Sequence, residues 1–333
     1  MEYRLGCTED LAACRSIVSE RQPQVLGDIP QEELTPLWAN LLAAEQILFY
    51  VVVPERSAAP VSFHMTAFIG EEIVDELRRA ERLGVAGQLL ARHAAGERVF
   101  REPGEIAVDN AKGGLNMLVL HCPIDVDDLT SPRAFEIASA SARGFFFTHS
   151  GFRARRIIEE VFDDQIACFL EAGGMRPWDE YQAPPNIAPG KLPRFYGMRA
   201  EQVTPGAASP WGEVFHCRPP RFHFTRSEQR VLNRALLDSS DNEIANELGI
   251  SLSAVRQAWR GIFQRIARVD PVLLDAGDPE ETDLTVRGKE KRRRILAYLR
   301  QHLQELRPYS ENGLKSLPKV PHANRCTEKH VYS

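Results

Sequence analysis

No stretch of this 333-residue chain is long and apolar enough to cross a bilayer; the longest apolar runs, such as Gln46 to Val53, have only the length of a strand. The first ten residues, MEYRLGCTED, lack the apolar core of a secretory signal. The six cysteines, Cys7, Cys14, Cys122, Cys168, Cys217 and Cys326, include no C-x-x-C pair. Together these absences point to a reduced, cytoplasmic setting with no membrane partner. His121 and Cys122 have no second pair at ligand spacing, so no metal site is expected and both read as core residues at a strand end. Net positive charge is lacking too. With 41 Lys and Arg against 46 Asp and Glu, the formal charge of -5 excludes a general polyanion binder, and any affinity for nucleic acid must be local.

What is present is a globular composition, 43% hydrophobic and 26% charged, at a length that favours two domains over one. Residues 1-181 alternate strand-like and helix-like segments and predict an α/β domain for sensing or dimerisation, with α+β as the other arrangement. Ile47 to Val53 and Val61 to Ile69 read as strands, Glu71 to Arg82 and Leu89 to Ala95 as helices. Leu115 to Ile124 is a strand buried on both faces. Ser131-Pro132 starts a helix that runs through Phe145, Phe146 and Phe147, and Arg153 to Ala172 reads as its continuation, ending at Gly173-Gly174. The three phenylalanines fill core, and Asp125, Asp127 and Asp128 serve turns and caps. Residues 182-220, rich in proline and glycine, predict a connector in which Arg194 to Arg199 and Glu213 to His216 pair as a hairpin.

Residues 221-270 carry the clearest pattern. Thr225 and Glu228 form a T-x-x-E capping box before an apolar face of Val231, Leu232, Ala235 and Leu236. Ile244, Ala245 and Leu248 give one face of a short helix, Gly249 can take the left-handed turn, and Ser251 caps the next helix. In that helix Leu252, Val255, Trp259, Ile262 and Ile266 recur at three- and four-residue steps, one buried stripe. Ala245 sits where two helices cross too closely for a larger side chain. The opposite face carries Ser253, Arg256, Gln257 and Arg260.

This run resembles the LuxR-type (GerE-like) helix-turn-helix domain, whose pattern is T-x-x-E-x-x-V-L, N-x-E-I-A and L-x-I-S-x-x-T-V-K. The resemblance covers Phe224 to about Val269. Thr225, Glu228, Val231, Leu232, Glu243, Ile244, Ala245, Leu248, Ile250, Ser251 and Val255 match it, and Arg256 stands at its lysine. Ala254 replaces the usual Thr and Ala258 a common His, so two polar contacts of many members are missing. The resemblance implies a regulator that binds double-stranded DNA as a homodimer, without cofactor or covalent chemistry. Arg256 and Arg260 suit guanine, Gln257 suits adenine, and Ser251 and Ser253 lie where a helix N-terminus meets phosphate.

Residues 271-308 predict one further helix from Gly288 to Leu306, with a stripe of Ile295, Leu299, His302 or Leu303, and Leu306 that suits either a second subunit or the same chain. Its basic start, Lys289 to Arg294, suits phosphate. Residues 309-333 read as a disordered tail. Two other functions fit parts of the chain. Arg82-Leu-Gly84-Val-Ala-Gly87 faintly resembles the phosphate-cradling turn of acetyl-CoA-dependent acetyltransferases, although a helix precedes it where a strand is needed, and CFLEAGGMRPW resembles their helix-to-strand ending. A sigma-like partner of RNA polymerase would share the helix-turn-helix, but the strand-rich first half offers no promoter-melting region. No motif identifies an effector.

Overall fold

The computed structural model describes residues 1–27, 29–204, 210–237, 239–274 and 284–311. Its first part is a seven-stranded mixed sheet of order β1-β2-β3-β4-β5-β7-β6. The strands are β1 (Glu2–Leu5), β2 (Ile47–Val53), β3 (Ser62–Ile69), β4 (Leu115–His121), β5 (Ala154–Glu160), β6 (Arg176–Pro177) and β7 (Phe195–Arg199). All neighbours are antiparallel except β4 and β5. Parallel neighbours need a long crossover, and α6 (Pro132–His149), started by Ser131 and Pro132 as expected, supplies it. β3 and β4 are buried at every position; β4 reads as a near-continuous apolar run, whereas β3 buries Ser62, His64 and Thr66 as well.

Helices cover both faces. The core on one side joins α1 (Leu11–Arg21), α2 (Gln31–Ala43), α3 (Glu71–Leu77) and α4 (Val85–Ala94) to the sheet, through Trp38, Phe63, Leu90 and Ile158 among others. The other side holds α6, α7 (Asp164–Ala172) and α8 (Pro210–Phe215), with Ile157, Met198, Trp211 and Phe215. Between β3 and β4 the chain also forms α5 (Pro103–Lys112).

Three expectations need correction. Arg153 to Ala172 is no helical continuation: Ile157 and Ile158 are buried in β5, and α7 starts only at Asp164, where the Asp163 carboxylate accepts the N–H groups of Gln165 and Ile166. The first helix after β3 stops at Leu77 rather than Arg82. The expected hairpin is absent as well. Phe195–Arg199 enters the main sheet between β5 and β6, and residues 210–215 form α8, held to the sheet domain by the Trp211 indole donating to the Gly173 carbonyl at 2.7 Å. The sheet domain therefore runs to Phe215, and the connector is shorter than its proline and glycine content suggests.

The second part packs α9 (Arg226–Ala235), α10 (Asp241–Leu248), α11 (Leu252–Val269) and α12 (Leu284–Leu299) around Trp259, Ile262 and Ile266. The apolar stripe of the last segment docks on its own chain. Ile295 and Leu299 are fully buried and Leu306 is 2% exposed, all in this core, so the stripe is not open to a second subunit. Nor is the segment one helix, since α12 ends at Leu299 and a 3-10 turn covers Leu303–Leu306. His302 leaves the stripe to stack on Tyr298 at 4.1 Å. Of the tail expected to be disordered, residues 309–333, the first three are described, with the Ser310 N–H donating to the Ala107 carbonyl at 2.9 Å, and residues 312–333 lie outside the described residues.

The two parts are strapped together. The buried Arg307 guanidinium donates to the carbonyls of Ser150 and Phe147 at the end of α6, while its own carbonyl accepts Gln229 of α9 at 2.8 Å. The buried Glu305 carboxylate accepts the N–H groups of Arg221 and Phe222. Gly151, with φ of +85°, lets the strap approach: a Cβ there would meet the Leu303 carbonyl carbon at 2.4 Å.

Candidate nucleic-acid interface

Capping chemistry sets the starts of α9, α10 and α11. Thr225 and Glu228 bond reciprocally at the start of α9, Ser240 and Glu243 do so at α10, and the Ser251 hydroxyl accepts the Ala254 N–H at 3.1 Å to start α11. Gly249 takes the left-handed conformation (φ 62°, ψ 34°), and the Ile250 N–H returns to the Ala245 carbonyl at 3.0 Å. Ile244, Ala245, Val255 and Trp259 are buried and Leu248 is half-buried. Thr225, Glu228, Ile244, Ala245, Leu248, Gly249, Val255 and Trp259 thus serve as caps, turn or core of a three-helix unit.

Two long-range contacts of this unit are not written in its local pattern. Asp241 accepts the Trp259 indole N–H at 3.2 Å and the Arg292 guanidinium at 2.8 Å, while Arg292 lies 4.4 Å over the Trp259 ring. One carboxylate thus ties α10, α11 and α12. Glu228 accepts Arg265 at 2.8 Å and passes so close to α11 that a Cβ at Gly261 would meet its oxygen at 2.4 Å. The glycine inside α11 is there for that carboxylate.

The outward face of α11 is different. Ser251, Ser253, Arg256, Gln257 and Arg260 are all exposed, and neither arginine has an ion-pair partner among the described residues. Other arginines of this domain are neutralised: Arg234 by Glu247, Arg265 by Glu228, Arg292 by Asp241, and Arg293 and Arg294 by Glu290. At the basic start of α12, Arg292 is tied to α10 by Asp241, while Arg293 and Arg294 share the single carboxylate of Glu290. Arg268, also exposed and without an ion-pair partner among the described residues, extends the α11 row by two more four-residue steps. Ser251 is committed to its cap and to Ser253, 2.8 Å away, which leaves Ser253 the freer hydroxyl.

The sheet domain has a second concentration of polar groups, at the carboxyl ends of its parallel strands. The β4–β5 ladder stops at Val119↔Glu159, and on the other side Leu120 is bulged, since β3 pairs Met65 with His121 and Thr66 with Val119. His121 is buried as expected, between Trp38 and Phe63, and neither of its ring nitrogens has a partner. Glu159 is also buried without a hydrogen-bonding partner among the described residues, and burial pushes its carboxyl up to about 8.

Neighbouring Glu160, raised by burial to about 7, accepts the N–H groups of Gly84 and Val85 at 2.9 and 2.7 Å. The turn that resembles a cofactor cradle thus joins α3 to α4 and already holds a carboxyl group of its own chain. Its glycines are explained by packing, since Cβ atoms at Gly84 and Gly87 would meet the carbonyls of Gln24 and Leu26 at 2.7 and 2.1 Å. The loop after β4 carries acidic residues in turn and pairing duty: Asp128 caps Thr130, and Asp125 and Asp127 bind Arg21. Phe145 stacks on the buried His149 at 3.9 Å and packs against Trp211, which is core duty. Among the described residues no group of three His, Cys, Asp or Glu is placed to hold a metal, and no helix is long and apolar enough to cross a membrane.

The carboxyl of Glu159 gives a pH-dependent expectation. Unfolded, a glutamate loses its proton near pH ~4.3. Folded, this one keeps it to about 8. Between those values the native state binds more protons, so stability falls as pH rises. Glu159→Gln is expected to flatten that fall, with a urea midpoint above the parent's at alkaline pH and equal to it in acid.

No family model matches the chain, and no curated protein does. Solved structures similar to it include a spermidine N-acetyltransferase variant from Vibrio cholerae, 8% identical, covering 61% of this chain and 98% of that one with a TM-score of 0.37. An aminoglycoside acetyltransferase in complex with coenzyme A is 10% identical over 60% and 95% of the two chains, TM-score 0.33. An uncharacterized protein from Bacillus halodurans is 11% identical over 60% and 83%, TM-score 0.33.

Proposed function

We propose that this chain is a DNA-binding regulator that lays α11 in the major groove. The observation that carries the reading is the row of exposed, unpaired Arg256 and Arg260, with Gln257 between them, in a domain whose other arginines are largely paired internally. A guanidinium without a carboxylate is free to give two parallel hydrogen bonds to guanine, and Gln257 can do the same for adenine. Ser253 and the free N–H groups at the start of α11 take phosphate. Ala254 and Ala258 add no polar contact, so the sequence preferred differs from that of regulators with Thr and His at these places. Two copies on two half-sites give the affinity one short helix lacks; the α12 stripe does not join them, so another surface does. The test is the salt dependence of binding to duplex DNA, where log K is expected to fall linearly with log salt, with a slope of several units. A flat response would remove the reading.

A second reading, that the sheet domain binds or transfers an acyl group from acyl-coenzyme A, is favoured by one observation: parallel β4 and β5 part beside Glu159, a buried carboxyl with no hydrogen bond among the described residues. The acidic loop after β4 and the Glu160-filled turn at Gly84 speak against a pyrophosphate there. Acetyl-coenzyme A added to the full chain decides it: a saturable rise in melting temperature, lost in Glu159→Gln, supports this reading, and no rise removes it.

A further inference from the structure

A notch opens where the sheet domain, the connector and the C-terminal strap meet. Asn110, Gly151 and Arg153 line it from the sheet domain, Cys217 and Arg218 from the connector, and Tyr309 from the strap. Arg153 and Arg218 are exposed, and neither has a carboxylate partner among the described residues. Nearby is Arg307, 8% exposed, which spends its guanidinium on the carbonyls of Ser150 and Phe147 and on the face of Phe152, with no carboxylate. Arg153 and Arg307 both act on the Cys217 thiol, which burial nonetheless holds at about 11. On the rim, the Tyr309 hydroxyl donates to Glu311 at 3.2 Å.

Buried charge is costly unless an opposite charge or several hydrogen bonds compensate it, and like charges gathered in one place add to that cost. Elsewhere in this chain the buried arginine Arg156 meets that cost with Glu71 and Glu180. The notch gathers arginines, and the one acid described at its rim, Glu311, is bonded to Tyr309 rather than paired with any of them. We propose that it binds a small oxyanion, phosphate or carboxylate, gripped by Arg153 and Arg218 and attracted by the buried charge of Arg307. Asn110 is already committed, taking the Arg153 N–H at 2.7 Å and donating to the Pro308 carbonyl at 2.7 Å, so it shapes the wall. Because the lining comes from both sides of the junction, and Arg307 is one hydrogen bond from Gln229 of α9, an anion here fixes the helical domain against the sheet domain. The link to DNA rests on the function proposed above, whereas the anion site does not.

The test uses the full chain without DNA. Inorganic phosphate or succinate replaces chloride at constant ionic strength, and melting temperature and calorimetric affinity are read. One of the two anions is expected to raise the melting temperature saturably, and which one it is names the class. Arg153→Ala and Arg218→Ala, both at exposed side chains, are each expected to weaken that binding about tenfold while leaving the melting temperature in chloride unchanged. If neither anion exceeds chloride, or if the effect survives in the double variant, there is no such site. Either result leaves the DNA reading where it stood, because no duplex is present.

Discussion

Replacing Arg256 and Arg260 together by alanine is expected to lower affinity for the preferred duplex at least about thirtyfold, and to lower binding to random duplex far less. The estimate follows from about 1–3 kcal/mol of discrimination for each bidentate contact to guanine, two of which are lost. Both side chains are exposed and unpaired, so folding is not at stake. Equal melting temperatures of the two proteins would verify that. Arg265→Ala makes the contrasting control. Its guanidinium is engaged with the buried Glu228, so removing it should cost stability before it costs DNA affinity.

Trp259→Ala is expected to destabilise the helical domain by about 3–5 kcal/mol, the usual loss for a large aromatic removed from a packed core. The ring is 2% exposed among Val255, Ile262, Ile266 and Ile295, and its loss also strips the indole N–H from Asp241 and the aromatic face from Arg292. Urea titration followed by helical circular dichroism should show a separate early transition for this domain, with DNA binding lost at the same denaturant concentration. An unchanged single transition would mean that the Asp241, Trp259 and Arg292 cluster is not what joins α10, α11 and α12.

The caps, turn and buried stripe of α9 to α11 were legible because their signals are local. Thr225 and Glu228, Ser251, Gly249 and the Val255 to Ile266 stripe each state a cap, a turn or a face within a few residues, and the structure uses them that way. The nearly continuous apolar run of β4 was legible for the same reason. Where the sequence misled, a partner distant in the chain decided. Phe195–Arg199 looks like one arm of a local hairpin, but its neighbours are β5 and β6. Ile295 and Leu299 form a stripe whose spacing says that it is covered without saying by what, and the cover is the core around Trp259. The fate of a charge was hidden in the same way. Lys289 to Arg294 and Arg256 to Arg260 look alike as basic runs, yet Asp241 and Glu290 occupy much of the first and leave the second free. The glycines of the acetyltransferase-like turn could not reveal that the N–H groups of Gly84 and Val85 face Glu160, 76 residues from Gly84.

The most direct test is selection of bound duplexes from a random pool by the full chain, repeated with the Arg256 and Arg260 double variant. The account predicts enrichment of one short motif with guanines at the positions facing the two arginines, present as two half-sites at fixed spacing, and loss of those guanines with the variant. A pool that stays random, or a motif identical for parent and variant, would contradict it.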